Sequence, residues 1–401
     1  MRNMDPTSDP LQAFEGGFYV PPPEAVGRRV STRLELEPTS NHLIIGGIGS
    51  GKTTELIQVE KTLGAVGDVL TARVDVPAVH RVDKLKPGVL IALAAAAAVD
   101  RLKGLVDLDS PAPDSETLEA LRQIDALVKG RWESQWDGDS PDYDPDDLVW
   151  VKGIIEAPQP RDEITKLSEA LAVVKKALGR GFVVIFDGLD RVLDPAVFAS
   201  IVREDVPAIR QAGVGLVVVG PQHVRLGEHR YVVEFFTDFH FHGASSFHAE
   251  EGVRFLEAVL LKRAGEGIFA PGMTEKLATW SGGLLRDLIS LARAAGEEAY
   301  VSGTDLIERT HIDAAADRFG RNLLLSATSQ MASRLKDLVP RKVSPGHTRP
   351  PPKEQPLFVV SSDLDILMLL NRLIVEIPGT PVRYIPHPTI VPLIRGMAGG
   401  A

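Results

Sequence analysis

The chain has 401 residues, 44% of them hydrophobic and only 6% aromatic, with no cysteine and a formal net charge of −10. That length fits roughly two or three domains around an aliphatic core, and the lack of cysteine excludes disulfides and thiolate metal sites. An acidic chain is a poor candidate for broad, unspecific DNA binding; with no signal-peptide run behind MRNMDPTSDP and no apolar segment long enough to span a bilayer, it reads as soluble, cytoplasmic and without membrane partners.

Residues 1–30 are rich in Pro and Gly and read as an N-terminal arm. His42 to Ile45 is a short apolar run that ends in glycines, as a buried strand does. Thr53 to Leu63 has helical spacing, Val69 to Val76 reads as a second strand, and a buried helix follows over about 88–104. Between 107 and 147 the composition turns acidic, with Asp137, Asp139, Asp142, Asp144, Asp146 and Asp147 among Ser, Pro and Gly; this reads as an insertion that is helical only over Glu116 to Lys129. A solvated acidic loop accounts for these aspartates better than a metal site does. A helix over about 162–178 leads to Gly181-Phe182-Val183-Val184-Ile185-Phe186-Asp187, an apolar strand ending in a carboxylate. A helix over 194–211, a strand over Gly215 to Val219 and a further strand over Tyr231 to Phe241 complete an α/β core of residues 31–245. Apolar runs alternating with helical patterns predict a parallel sheet covered on both faces.

Residues 246–338 then read as a helical lid, with helices over 248–264, 272–280, 283–299 and 311–338. The tail, 339–401, opens on a loop carrying Arg341, Lys342, Arg349 and Lys353. A helix over 361–371, an apolar run Leu373 to Ile377, the turn Pro378-Gly379-Thr380 and a return strand Val382 to Ile385 make it winged-helix-like. Pro392 argues against a helical turn over 389–395.

The chemistry sits at Gly46-Gly47-Ile48-Gly49-Ser50-Gly51-Lys52-Thr53, which fits G-x-x-x-x-G-K-[ST] throughout. Glycines let successive backbone N–H groups turn toward phosphate oxygens, and the helix that follows brings its positive end to the same oxygens. Lys52 supplies a cation to the β and γ phosphates, the Thr53 hydroxyl ligates Mg²⁺, and Thr54 closes the nucleotide-binding run Gly46 to Thr54. Asp187, at the end of its strand, is the second expected Mg²⁺ ligand. Asp190 either orients the attacking water or serves as a helix cap or a partner of Arg191.

Gly49-Ser50-Gly51-Lys52-Thr53-Thr54-Glu55-Leu56 and Ile185-Phe186-Asp187-Gly188-Leu189-Asp190-Arg191 together resemble the AAA+ and STAND class of P-loop ATPases, near the origin-recognition and NB-ARC/NACHT branches. The resemblance covers roughly residues 15–320. It implies ATP rather than GTP, a polar sensor at Gln222 (otherwise a turn amide) and a lid arginine at Arg286, in Ser281-Gly282-Gly283-Leu284-Leu285-Arg286. An arginine finger from a neighbouring subunit would be Arg225 or Arg230. Many efficient ATPases of this class carry glutamate after the metal-binding aspartate; here Gly188 stands there, which implies slow turnover. The implied function is an ATP-binding and hydrolysing switch that controls self-association or an effector protein, as in bacterial defence or mobile-element systems. A DNA-loading or initiator ATPase and a nucleotide-holding scaffold are the alternatives.

From Ile312 to Ala401 there are 11 Lys or Arg against 7 Asp or Glu, so this end is basic on an acidic protein. That leaves DNA open as a partner, with a solvated loop as the plainer reading. His387, between two prolines, is expected to pack or to sense nucleotide. His240 and His242 alternate along the expected strand and so share one side, though without further ligands they make a poor zinc site.

Overall fold

The computed structural model describes residues 4–5, 10–105, 113–129, 160–247, 249–339, 360–378 and 382–398. The aspartates at 137–147, the basic residues Arg341, Lys342, Arg349 and Lys353, and Gly379-Thr380 of the expected turn lie outside the described residues. The chain divides into two compact units: Val26–Ile45 with Glu55–Phe241, and Met1–Ala25 with Gly46–Thr54 and His242–Ala401.

The first unit is the α/β sheet expected from the sequence. Its strands are β1 (Asn41–Ile45), β2 (Val69–Asp75), β3 (Gly181–Asp187), β4 (Gly215–Gly220) and β5 (Asp238–Phe241). They pair in the order β2-β3-β4-β1-β5, every pair parallel. In chain order the first helices are α1 (Pro10–Glu15), α2 (Val26–Leu36), α3 (Lys52–Val66), α4 (Val76–Val79), α5 (Val89–Leu105), α6 (Ser115–Lys129), α7 (Pro160–Ala177) and α8 (Pro195–Gln211).

Alternate residues of a strand point to opposite faces, and a parallel sheet must bury both. Val183 and Ile185 of β3, with Ile44, Val217 and Val219, therefore meet Val30 and Leu34 of α2 and Leu56, Val59 and Leu63 of α3. Phe182, Val184 and Phe186, with Leu43, Leu216 and Val218, meet α5, α7 and α8 on the other face. Phe186, Val218 and Leu43 lie in one row across β3, β4 and β1. Asp187 is thus one residue beyond that row, at the same carboxyl edge where β1 ends in Ile45 and the chain continues into Gly46.

Asp205 of α8 is fully buried, and its carboxylate accepts from the N–H groups of Gly88 (2.6 Å), Leu90 (2.7 Å) and Ile91 (3.4 Å) at the start of α5. Burial pushes its carboxyl up to about 7, against the pull of those three donors. Asp205→Ala strands the donors in a dry interior, so it is expected to lower unfolding free energy by roughly 2–4 kcal/mol, with Asp205→Asn costing less. Urea denaturation of the two variants beside the parent chain measures this.

A second chain of hydrogen bonds gives the fold a pH dependence. Ser40 Oγ donates to the Glu37 carbonyl (2.8 Å), so it accepts from Nε2 of His42 (2.9 Å). His42 Nδ1 is then left to accept from His240 Nε2 at 3.1 Å. Burial first, then the neighbouring His240, lowers His42 from 6.5 to about 4; burial also lowers His80 and His240. A histidine depressed in the fold binds its proton more readily when unfolded. Its contribution is complete above pH 6.5 and is lost as pH falls toward about 4. For His42 the loss is on the order of 2–3 kcal/mol. Thermal midpoints should fall across that window, and a His42→Asn chain should show a flatter decline.

The second unit is mostly helical: α9 (Glu250–Ala264), α10 (Met273–Trp280), α11 (Leu285–Val301), α12 (Arg309–Leu324), α13 (Ser329–Leu338), α14 (Asp363–Leu370) and α15 (Val391–Ala398), with the antiparallel hairpin β6 (Ile374–Ile377) and β7 (Arg383–Pro386). Helix and hairpin at the C-terminal end match the expected small module, and α15 follows them. Residues 4–25 belong to this unit: Met4 is buried in its core, Lys262 donates to the Tyr19 carbonyl (2.9 Å), and the Arg263 guanidinium lies over Phe18.

Four sequence expectations are corrected. The end of the expected arm, from Val26, is the helix α2. Tyr231 to Phe241 is a strand only from Asp238; Gly227–Phe235 winds into a 3₁₀ helix in which Tyr231 meets Phe235 edge-on, and Val232-Val233 had imitated a strand. The long helix over 311–338 breaks after Leu324, because Thr328 caps α13 by accepting from the Met331 N–H (3.3 Å). Pro392 does not prevent α15, since it lies in the first turn, where a helix makes no use of the N–H that proline lacks.

Candidate functional site

β1 carries the chain to Gly46, and α3 starts at Lys52, so the glycine-rich run is the turn between a strand and a helix N-terminus, as a phosphate loop requires. Gly49 and Gly51 have φ of +84° and +105°, which only glycine adopts without strain. Lys52 is 5% exposed, and its ammonium donates to the carbonyls of Gly46 (3.0 Å) and Gly47 (2.9 Å). The cation is therefore folded over the loop itself. The Ser50 hydroxyl is buried without a hydrogen-bond partner, and Thr53 and Thr54 are half-buried at the start of α3. A curled backbone, a helix start and a captive ammonium fit a polyphosphate.

His242 braces this loop, a role its sequence context did not signal. Its Nε2–H donates to the Ser50 carbonyl at 3.1 Å, and a Cβ on Gly46 would stand 1.8 Å from the His242 carbonyl oxygen. Close backbone approach thus explains Gly46. Burial first, and then the charge of Lys52, lower His242 to about 4, which keeps the ring neutral. The expectation that His240 and His242 share one side of a strand is corrected: β5 ends at Phe241, His240 stacks on His42, and His242 belongs to the loop. No group of three or more metal-ligating side chains occurs among the described residues.

Arg286, in the first turn of α11, reaches the same loop. Its N–H donates to the Gly49 carbonyl at 3.1 Å, and its Cβ would lie 2.8 Å from a Cβ on Gly49. The Arg286 side chain is exposed. The structure thus brings together Gly46–Thr54, His242 and Arg286.

The remaining expected residues belong to the sheet unit. Asp187 is 7% exposed and accepts from the Gly188 N–H at 2.8 Å. Asp190 lies half-buried in the 3₁₀ turn Leu189–Arg191. Gln222 is buried at the start of the turn after β4. Gly188 has φ of +83°, and a Cβ there would meet Pro77 at 2.4 Å, so a side chain after Asp187 would strain the backbone and force Pro77 to shift. A further carboxylate that the sequence reading missed, Asp75, ends β2 directly opposite Asp187 and is exposed. Its signal was available: both strands end in aspartate. Arg230 is exposed, and the side chain of Arg225 lies outside the described residues.

No protein-family model matches the chain, and no curated protein matches it. Among solved structures it is similar to the ORC2 protein of Aeropyrum pernix, solved as ADPNP-ADP complexes (14% identity, 99% of this chain and 97% of that one, TM-score 0.46). It is also similar to a Walker-type ATPase of Pyrococcus abyssi (13% identity, 94% and 96%, TM-score 0.49) and to Cdc6p of Pyrobaculum aerophilum (12% identity, 99% and 97%, TM-score 0.45). No helix among the described residues is long and apolar enough to cross a membrane.

Proposed function

We propose that this chain is a magnesium-dependent P-loop ATPase of the AAA+/STAND type, acting as a switch whose nucleotide state controls self-association or the grip on an effector protein. The carrying observation is the loop Gly46–Thr54, curled between β1 and α3 with Lys52 held across it. In this reading ATP lies along the loop amides, and Lys52 neutralises its β and γ phosphates. Thr53 and Asp187 are the residues that would hold Mg²⁺, which would offset charge on the phosphate oxygens. Asp190 orients the attacking water, Gln222 reads the γ-phosphate, and Arg286 reports its presence to the helical unit. With glycine at position 188, where a side chain would strain the backbone, turnover is slow, which suits a switch better than a motor.

Mass photometry with ATP, with ADP and without nucleotide tests the switch, alongside phosphate release. Nucleotide-dependent assembly or effector binding is the expected result. A mass and partner profile identical in all three states, with ATP bound, leaves only a nucleotide-holding scaffold.

The basic balance of residues 312–401 favours one second reading, a DNA-loading or initiator ATPase. It requires DNA to stimulate turnover with a steep salt dependence, and it fails if duplex DNA leaves the rate unchanged at low salt.

A further inference from the structure

The C-terminal module grips the start of α11 on the helix whose first turn touches the phosphate loop. Asp287, next to Arg286, is wholly buried, and Arg372 of the turn before β6 forms an ion pair with its Oδ1. His387, also wholly buried, has Nδ1 occupied by Thr389, from the hydroxyl at 2.7 Å and the N–H at 3.4 Å. Its Nε2 faces Asp287 Oδ2 at 3.4 Å, an ion-pair distance at which neither atom makes a hydrogen bond. Arg372 has φ of +58°, the left-handed conformation, which no other non-glycine residue among those described adopts. Such a backbone persists where its surroundings enforce it, and it clusters at functional sites. Apolar contacts support the same grip: Val375 packs with Leu284 and Ala244, and Val375 and Pro388 close over Gly282 in the turn that launches α11. On the loop side of this first turn, the Arg286 N–H holds the Gly49 carbonyl.

We propose that Asp287, Arg372 and His387 form a positioning device through which the C-terminal hairpin sets the first turn of α11, and with it Arg286, against the phosphate loop. A carboxylate buried between a guanidinium and an imidazole has few alternative placements. The hairpin and the loop are therefore two ends of one run of contacts, Gly49 to Arg286 to Asp287 to Arg372 and His387. This rests on the reading of Gly46–Thr54 as an ATP site. Linkage then runs both ways: loosening the hairpin weakens nucleotide retention, and nucleotide tightens the hairpin by the same factor.

The test uses the full chain, a fluorescent ATP analogue with Mg²⁺, and stopped-flow release. Arg372→Met and Asp287→Asn should each speed release about tenfold, whereas Arg372→Lys, which keeps the charge, should stay within about threefold of the parent. In the parent, the analogue should slow amide hydrogen exchange over 373–377 and 383–387, and Arg372→Met should abolish that protection. A lower melting temperature with unchanged release would show a merely structural cluster and overturn the proposal. Should the variants fail to fold, the parent alone decides, because exchange in the hairpin that ignores nucleotide also overturns it. A parent chain that binds no analogue, indistinguishable from Lys52→Ala, instead sinks the ATP reading and this proposal with it.

Discussion

Lys52→Ala should weaken ATP binding by roughly two to three orders of magnitude and bring hydrolysis to background. The ammonium is buried and donates to the carbonyls of Gly46 and Gly47, so it is already positioned where phosphate charge must be met. Hydrogen bonds to a charged group contribute about 1.5–3 kcal/mol each, and loss of two at the lower end of that range, about 3–4 kcal/mol, corresponds to roughly a hundred- to a thousandfold in affinity. The same substitution frees two loop carbonyls and loosens the turn, which adds to the loss. Calorimetric titration of ATP with Mg²⁺ into both chains measures it. Equal affinities would remove the assignment of the loop, whatever the turnover.

Much of the sheet was legible because its strands announce themselves. Gly181 to Asp187 is an unbroken apolar run between a helical pattern and a turn, and both its faces are buried, so no alternation had to be deciphered. Tyr231 to Phe241 was misread for the complementary reason. Val232-Val233 has the composition of a strand, but nothing local shows that the chain winds into 3₁₀ turns before it pairs with β1 from Asp238. Helix ends were the other weak point. Thr328 opens α13 by accepting the Met331 N–H, and no proline or glycine between Leu324 and Thr328 marks the break in the sequence.

At the candidate site, the sequence declared what chemistry needs in fixed spacing and hid what tertiary contact supplies. The loop is a contiguous motif in which Gly49 and Gly51 have a local reason, visible as positive φ, whereas Gly46 is required by the approach of the His242 backbone. His242 is separated from Ser50 by most of the sheet unit, so no spacing rule connects them. Asp287 reads as an acidic residue in the first turn of a helix, well placed for the helix dipole. Only the folded chain shows it spent on Arg372 and His387. His387 was expected to pack or to sense nucleotide, and its described partners are Thr389, Asp287 and the ring of Phe319.

Asp187→Asn should lower the ATPase rate by about a hundred- to a thousandfold while leaving Mg²⁺-free nucleotide binding within about twofold, the signature of a lost metal ligand. Asparagine matches aspartate in shape and keeps an oxygen to accept the Gly188 N–H, so the end of β3 should stay in place. What disappears is the charge, and with it the Mg²⁺ affinity; the magnesium midpoint for hydrolysis should rise. The variant also sorts the nearby carboxylates. Because position 188 holds glycine, the group that handles the attacking water has to be found elsewhere, and Asp190 and Asp75 are the candidates at the ends of β3 and β2. Asp190→Asn should slow turnover without moving the magnesium midpoint if Asp190 orients the water. The same result from Asp75→Asn alone would transfer that role to β2. If Asp187→Asn hydrolyses ATP at the parent rate with the parent magnesium midpoint, the metal is held by other residues and Asp187 is a strand-end turn residue.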